Sequence, residues 1–280
     1  MSRAEREESA SPTFQYCADL VRTLREARGW SQEEVGRRAG YTGAAISGLE
    51  TLKQPPTEVM LAKLDEVFFD GIGALAKAGR YLAIDHLPSY FKGYALLEQK
   101  ALSIASYEPM VIDGLFQTED YARALLECGF PPHDEAEVER LVEARIERKS
   151  ALYRKGALGL VELVLEESAL RRQVGEPDVM HGQMLHLAEL AERPNITVQV
   201  LPLRRGAKRQ HAGLGGPMKV VETPDHVRVV YLEVQRKSLL IKKPDEVSEL
   251  AQRYAMIRAQ ALSPDDSLEL IQQVAEEWKQ

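Results

Sequence analysis

Two histidines, His181 and His186, stand five residues apart in a stretch with helical periodicity. Metal ligands on one helix converge at i and i+4, so this pair reads as structural or solvated histidines and predicts no metal site. Glu166 and Glu167 are adjacent carboxylates after a β-rich run. Neighbours on a strand point to opposite faces, so the two do not share a proton-transfer task. The most basic stretch is Arg204-Arg205-Gly206-Ala207-Lys208-Arg209-Gln210-His211. It has two readings: a site for an anion, a nucleic-acid backbone or an acidic partner, or a solvated surface loop. Gly213-Leu214-Gly215-Gly216 follows it. That run lacks the strand–loop–helix context and the Lys-Ser/Thr ending of a phosphate-cradling loop. Gln117 and Thr118, after Gly114-Leu115-Phe116, either cap the next helix or line an effector or partner site. No Ser/His/Asp or Cys/His arrangement and no nucleotide fingerprint is visible, so neither an enzyme nor a cofactor is expected.

The bulk properties set limits. At 280 residues, with 44% apolar and 28% charged residues, the chain is long enough for two domains of ordinary globular composition. A net charge of −7 argues against coating nucleic acid by bulk electrostatics, while leaving room for a local basic face. Cys17 and Cys128 fit no metal or redox spacing and point to a reducing interior. The polar stretch MSRAEREESASPTF carries no apolar signal region, and no apolar run is long enough to cross a membrane. The expected compartment is the cytoplasm.

The elements come next. Residues 1–13 read as a disordered tail rich in Glu, Ser and Arg. Cys17, Leu20, Val21 and Leu24 form the buried side of a helix from Phe14 to Arg28. From Trp30 to Leu52 the chain reads as two short helices and a tight turn. Ser31 and Glu34 make a capping box, Gly40 ends the first helix, and Thr42 caps the second. Val35, Ala39, Ile46 and Leu49 point inward, which suggests a helix-turn-helix. After Pro55-Pro56, Thr57 caps a fourth helix. Residues 14–70 are therefore expected to form an all-α bundle, and 71–90 a linker region with a helical stretch. Residues 91–280 are expected to form an α+β domain with a small, mostly antiparallel sheet. Its strands are read at 102–107, 158–165, 196–203, 218–222, 227–232 and 238–241, with helices at 118–128, 134–154, 178–192, 244–262 and from Ser263 onward.

Ser31-Gln32-Glu33-Glu34, Ala39-Gly40, Ile46-Ser47 and Leu49-Glu50 resemble the helix-turn-helix of the Xre family, the lambda-repressor-like regulators. The remainder resembles the large second domain of bacterial antitoxin-like transcriptional regulators. That likeness rests on Ser106–Pro109, Gly114–Ala124, Leu187–Pro202 and Ala261–Pro264. The first resemblance implies sequence-specific binding of double-stranded DNA. The second implies a functional pairing with a small protein encoded nearby.

In that fold the second helix of the motif enters the major groove with its N-terminal residues on base edges. Position by position, this places Thr42, Gly43, Ala44, Ser47 and Gly48 on the bases. Gln32 falls where related domains hold a phosphate, and Arg37, Arg38 and Lys53 are backbone candidates. Gly and Ala supply no bidentate base contact, so direct readout is limited to hydroxyls and methyls. Between residues 14 and 70, seven Lys/Arg stand against nine Asp/Glu, a net −2. Phosphate contacts dominate such affinity, so a homodimer or shape readout is expected to supply the rest. Gln117, Thr118, Arg204, Arg205, Lys208, Arg209 and His211 are the candidates for partner or ligand binding. The leading expectation is a DNA-binding transcription regulator. The alternatives are an antitoxin-like adaptor for a small protein and a small-molecule sensor.

Overall fold

The structure, a computed structural model, describes residues 10–85, 87–149, 152, 159–204, 211–235 and 237–279. The chain divides into two units, Met1–Leu87 and Pro88–Gln280.

The first unit is helical: α1 (Pro12–Ala27), α2 (Gln32–Ala39), α3 (Gly43–Glu50), α4 (Glu58–Phe69) and α5 (Ala76–Asp85). Local capping sets the starts. Ser11, Ser31, Thr42 and Thr57 each accept a hydrogen bond from the backbone N–H three residues on. Ser11 and Pro12 start α1 two residues before the Phe14 expected from periodicity, so the expected tail shortens. Positions 1–9 of that tail lie outside the described residues. Gly40 ends α2 at φ +77°, a conformation that glycine adopts without strain. The core joins Cys17, Val21, Val35, Ile46, Leu49, Leu61 and Leu64. Leu75 and Leu82, from the segment read as a linker, are part of the same core. The Asp65 carboxylate anchors that segment by accepting from Gly73 N at 2.6 Å and Leu75 N at 2.5 Å.

The second unit is α+β. Its elements are α6 (Ser89–Glu98), β1 (Ser103–Glu108), a 3-10 turn (Gly114–Phe116), α7 (Glu119–Glu127), α8 (Glu135–Lys149), β2 (Leu160–Glu166) and α9 (Glu167–Arg171). They continue with α10 (Pro177–Ala191), β3 (Ile196–Leu201), a 3-10 turn (Ala212–Gly215), β4 (Met218–Glu222), β5 (Arg228–Val234), β6 (Lys237–Ile241), α11 (Pro244–Gln260) and α12 (Pro264–Glu277).

The six strands lie in the order β3-β2-β1-β4-β5-β6. This corrects the expectation of a mostly antiparallel sheet: the sheet is mixed. β1, β2 and β3 run parallel, whereas the β1/β4, β4/β5 and β5/β6 pairs are antiparallel. The cause is the connections. Helices follow β1 and β2, and a helical crossover returns the chain in the same direction, whereas the short turns after β4 and β5 reverse it. The continuous apolar run Leu163-Val164-Leu165 in β2 carries that signal, because a parallel strand is buried on both faces.

One face of the sheet carries a core built with Tyr94 of α6, Tyr121 of α7, Leu187 of α10 and Ile271 of α12. Tyr254 and Ile257 of α11 close the other face over Tyr107, Val164 and Met218. Among the described residues no helix is long and apolar enough to cross a membrane.

Ser267 joins α12 to the sheet. Its hydroxyl donates to Ser263 O at 2.7 Å and accepts from Val200 N at 2.9 Å, fully buried. Ser267→Ala strands that β3 N–H, so chemical denaturation is expected to show a loss of about 1–3 kcal/mol. An unchanged denaturation midpoint would contradict this assignment.

Candidate nucleic-acid interface

The arrangement of α3 begins with a carboxylate inside the bundle. The Glu50 side chain, 1% exposed, accepts from Arg25 Nε at 2.6 Å, Arg25 Nη2 at 3.0 Å and Gln32 Nε2 at 2.8 Å. Arg22 Nη2 donates to the Glu50 carbonyl at 2.8 Å. Three helices therefore meet on one residue. The side-chain hydrogen bond to Glu50 holds the Arg25 guanidinium even more firmly protonated than usual. Gln32, read from sequence as a phosphate contact, donates a side-chain amide N–H to this carboxylate.

Close approach of α2 and the following turn depends on Gly36. A Cβ there would lie 2.7 Å from Tyr41 O and 2.8 Å from the Thr42 carbonyl carbon. Gly43 is similarly confined, with a Cβ about 3.0 Å from the Glu33 side chain. With Ile46 and Leu49 at 0% and 1% exposure on the inner side, Ala44, Ser47 and Gly48 share the outer side of α3. Thr42 and Ala44 are exposed, and Gly43, Ser47 and Gly48 are half-buried. The Thr42 hydroxyl accepts from Ala45 N at 3.2 Å, which leaves its proton available for donation. A Cβ at Gly48 would meet only the Gln54 side chain, at 3.5 Å, so this position has room for a larger residue.

The basic candidates differ in what they hold. Arg37 and Arg38 both bind the Glu34 carboxylate, Arg38 Nε at 2.7 Å, and Arg38 also lies 4.2 Å over the Trp30 ring. The Arg37 hydrogen bond, together with Arg38, holds the Glu34 carboxyl below its ordinary range. Glu34 is thus turned toward these arginines, and the Ser31 half of the expected capping box is the half described, through Glu34 N at 3.1 Å. Lys53 is exposed and has no ion-pair partner among the described residues.

In the second unit, Thr118 caps α7 through Tyr121 N at 3.2 Å. Gln117 is buried: Nε2 donates to Ile112 O at 2.6 Å and Oε1 accepts from Arg145 Nη1 at 2.8 Å. Of the two readings for this segment, the hydrogen bonds describe capping and internal anchoring. Arg204 is exposed. His211 Nδ1 accepts from Gly213 N at 3.1 Å, and its Nε2 lies 3.6 Å from Glu166 Oε1. Arg205, Lys208 and Arg209 lie outside the described residues. Glu166 accepts from Tyr107 Oη at 2.9 Å while Glu167 holds Arg171, so these neighbours do diverge. His181 bonds Ala275 O at 2.8 Å and His186 faces Glu189 at 3.8 Å, on separate partners.

Sequence reading missed an interior charge cluster. Lys219 Nζ contacts both Glu108, at 2.8 Å, and Asp113, and Arg148 binds Glu98 through two bonds of 2.8 Å. Tyr94 stacks 4.4 Å from Tyr231 beside them, and its buried hydroxyl has no hydrogen-bond partner among the described residues. Burial pushes the Glu108 carboxyl up to about 7 against the opposing pull of Lys219. Burial also acts to raise Asp113, but Lys219 outweighs it and holds that group below its ordinary range. The only trace of this cluster in the sequence is charged residues interrupting apolar strands, as Lys219 and Glu108 do.

Residues 18–68 match a helix-turn-helix domain, and residues 91–273 match a family described as a domain of unknown function, DUF5753. No curated protein and no solved structure matches the chain.

The Glu108 shift has a pH consequence. Its folded pKa of about 7 exceeds the ordinary 4.5, so the folded state binds this proton more tightly. The resulting stability is fully present below the ordinary value and is lost as pH rises through the folded one. Relative to Glu108→Gln, the native chain is expected to lose stability between these two values in urea titrations at a series of pH. A relative gain with rising pH would contradict the shift.

Proposed function

The chain belongs to the DUF5753 family with a helix-turn-helix domain ahead of the family domain, and from that premise we propose that it is a DNA-binding transcription regulator. One observation carries the reading. The first turns of α3 present Thr42, Ala44 and Ser47 outward, while Ile46 and Leu49 fix the opposite side in the core. A helix so placed is suited to entering the major groove with its N-terminal residues on base edges.

In this reading Lys53, Arg37 and Arg38 approach phosphates. Lys53 does so unpaired, and the two arginines by exchanging Glu34, an exposed pairing of little strength. Gln32 acts indirectly, by holding Glu50 and with it the angle of α3. The hydroxyls of Thr42 and Ser47 and the Ala44 methyl supply a sparse direct readout, supplemented by DNA shape. The net −2 of residues 14–70 makes one copy a weak binder, so the regulator acts as a homodimer on paired half-sites of the Xre, lambda-repressor type. The second unit then serves dimerisation and regulation, with a small protein partner as the resemblance implies. The alternative of a small-molecule sensor is favoured by one observation: the interior charge cluster around the unpartnered Tyr94 hydroxyl. A cluster of buried ionisable groups is a candidate functional site on physical grounds, because burying charge costs more than it returns in stability.

Fluorescence anisotropy with the chain's own promoter fragment and a scrambled duplex, at two salt concentrations, tests this. Lys53→Ala is expected to weaken both duplexes alike and to reduce the salt slope by about one. Thr42→Ala is expected to change preference at one base position. Absence of binding to any promoter fragment at low salt would overturn the reading.

A further inference from the structure

The path of the chain across the sheet reverses at β1. β2 and β3 follow on one side of it, and β4 returns on the other. In open α/β sheets, ligands bind beyond the carboxyl ends of the parallel strands at such a reversal. Glu108 ends β1 there. Ser106 and Tyr231 both pair with Lys219. Glu108 and Glu233, each two residues further along its strand, therefore share the face of Lys219. β4 begins only at Met218, so neither carboxylate has a partner in it.

Most charges at this end of the sheet are matched. Lys219 holds Glu108 and Asp113, and Arg148 holds Glu98. Two half-buried charges are not. Arg145 of α8 donates Nη1 to the neutral Gln117 amide oxygen and has no ion pair among the described residues. Glu233 accepts from the Tyr231 hydroxyl at 2.7 Å and likewise has no ion pair among them. Burial and the Arg148 cation push the Arg145 guanidinium down to about 10, against the opposing pull of Asp113 and Glu233. Arg145 and Glu233 thus face each other through space without touching. There is room beside the guanidinium: a Cβ added at Gly114 would meet only Arg145 Cδ and Nε, both at 3.9 Å. The Tyr94 hydroxyl is a third group without a partner, in a ring whose centre lies 5.8 Å from Lys219 Nζ. A charge withdrawn from water is costly until a counter-charge meets it.

We propose that this end of the sheet binds a small zwitterion of the α-amino-acid class, its carboxylate on Arg145 and its ammonium on Glu233. The inference deepens the small-molecule-sensor alternative above by naming its site and ligand. Arg145 Nε and Nη2 form a fork that fits a carboxylate in bidentate fashion. A carboxylate alone would leave Glu233 unpaired, and an amine alone would leave Arg145 unpaired. A phosphate dianion is opposed by Glu108, Asp113 and Glu233, which crowd the same end.

Isothermal titration calorimetry of the full chain with each common α-amino acid in turn is the test. The best binder is then compared with its deaminated acid and its decarboxylated amine, each of which keeps one charge. At least one amino acid is expected to bind saturably, and both analogues about tenfold or more weaker. Arg145→Gln is expected to abolish binding. Glu233→Gln keeps an acceptor for Tyr231 and is expected to erase the preference for the amino acid over its deaminated acid, which a merely structural role would not do. Melting temperatures show whether each variant folds. Absence of binding by any amino acid at millimolar concentration would overturn the proposal. So would equal affinity of the native chain for the amino acid and its deaminated acid, or an undiminished preference in Glu233→Gln. Promoter affinity with and without the ligand is read separately. Binding that leaves it unchanged keeps the site and removes the sensor role.

Discussion

A carboxylate with 1% exposure has to be matched by donors, and the first unit is arranged around that requirement at Glu50. Arg25 of α1 and Gln32 of α2 converge on a residue of α3, so the three helices hold one relative arrangement. Removing one member of such a buried pair costs about 3–5 kcal/mol, against about 0.2–1 kcal/mol for exposed pairs like those of Glu34. The apolar core around Ile46 and Leu49 supplies the burial, and the Glu50 hydrogen bonds select its geometry. The outward face of α3 is therefore set from inside the unit. Gln32, at the start of α2, is part of that internal anchoring.

Legibility in the sequence followed distance along the chain. Ser31, Thr42, Thr57, Thr118 and Ser263 all cap the helices that their local pattern announces, because a cap and its N–H partner are three residues apart. The inward positions Val35, Ile46 and Leu49 were equally legible from helical spacing. Strand direction was not, since the β3 alternation of Ile196, Val198 and Val200 describes burial and says nothing of which way a neighbour runs. The contact between Glu108 and Lys219 spans 111 residues, and no local pattern encodes it. Gly36 carried no signal beyond its type, because its role comes from a turn five residues on. Glu50 was visible only as part of a family resemblance; its burial needed the fold.

The second unit combines two solutions to covering a sheet. Helices on one face bury aromatic and aliphatic side chains completely, and enclose the Glu108, Asp113 and Lys219 cluster at the end of β1. α11 covers the other face only as far as β5, which leaves β6 and its apolar neighbours open. A buried ionic cluster and an uncovered sheet margin both add little stability.

The central claim is that the outer face of α3 meets DNA. Ala44 lies on that face, exposed and outside the core. The affinity of Ala44→Glu for the promoter duplex, measured beside its melting temperature, tests the claim most directly. The account predicts loss of DNA binding with unchanged stability, because a carboxylate is placed against base edges and phosphates. Undiminished binding by a stably folded Ala44→Glu chain would contradict it.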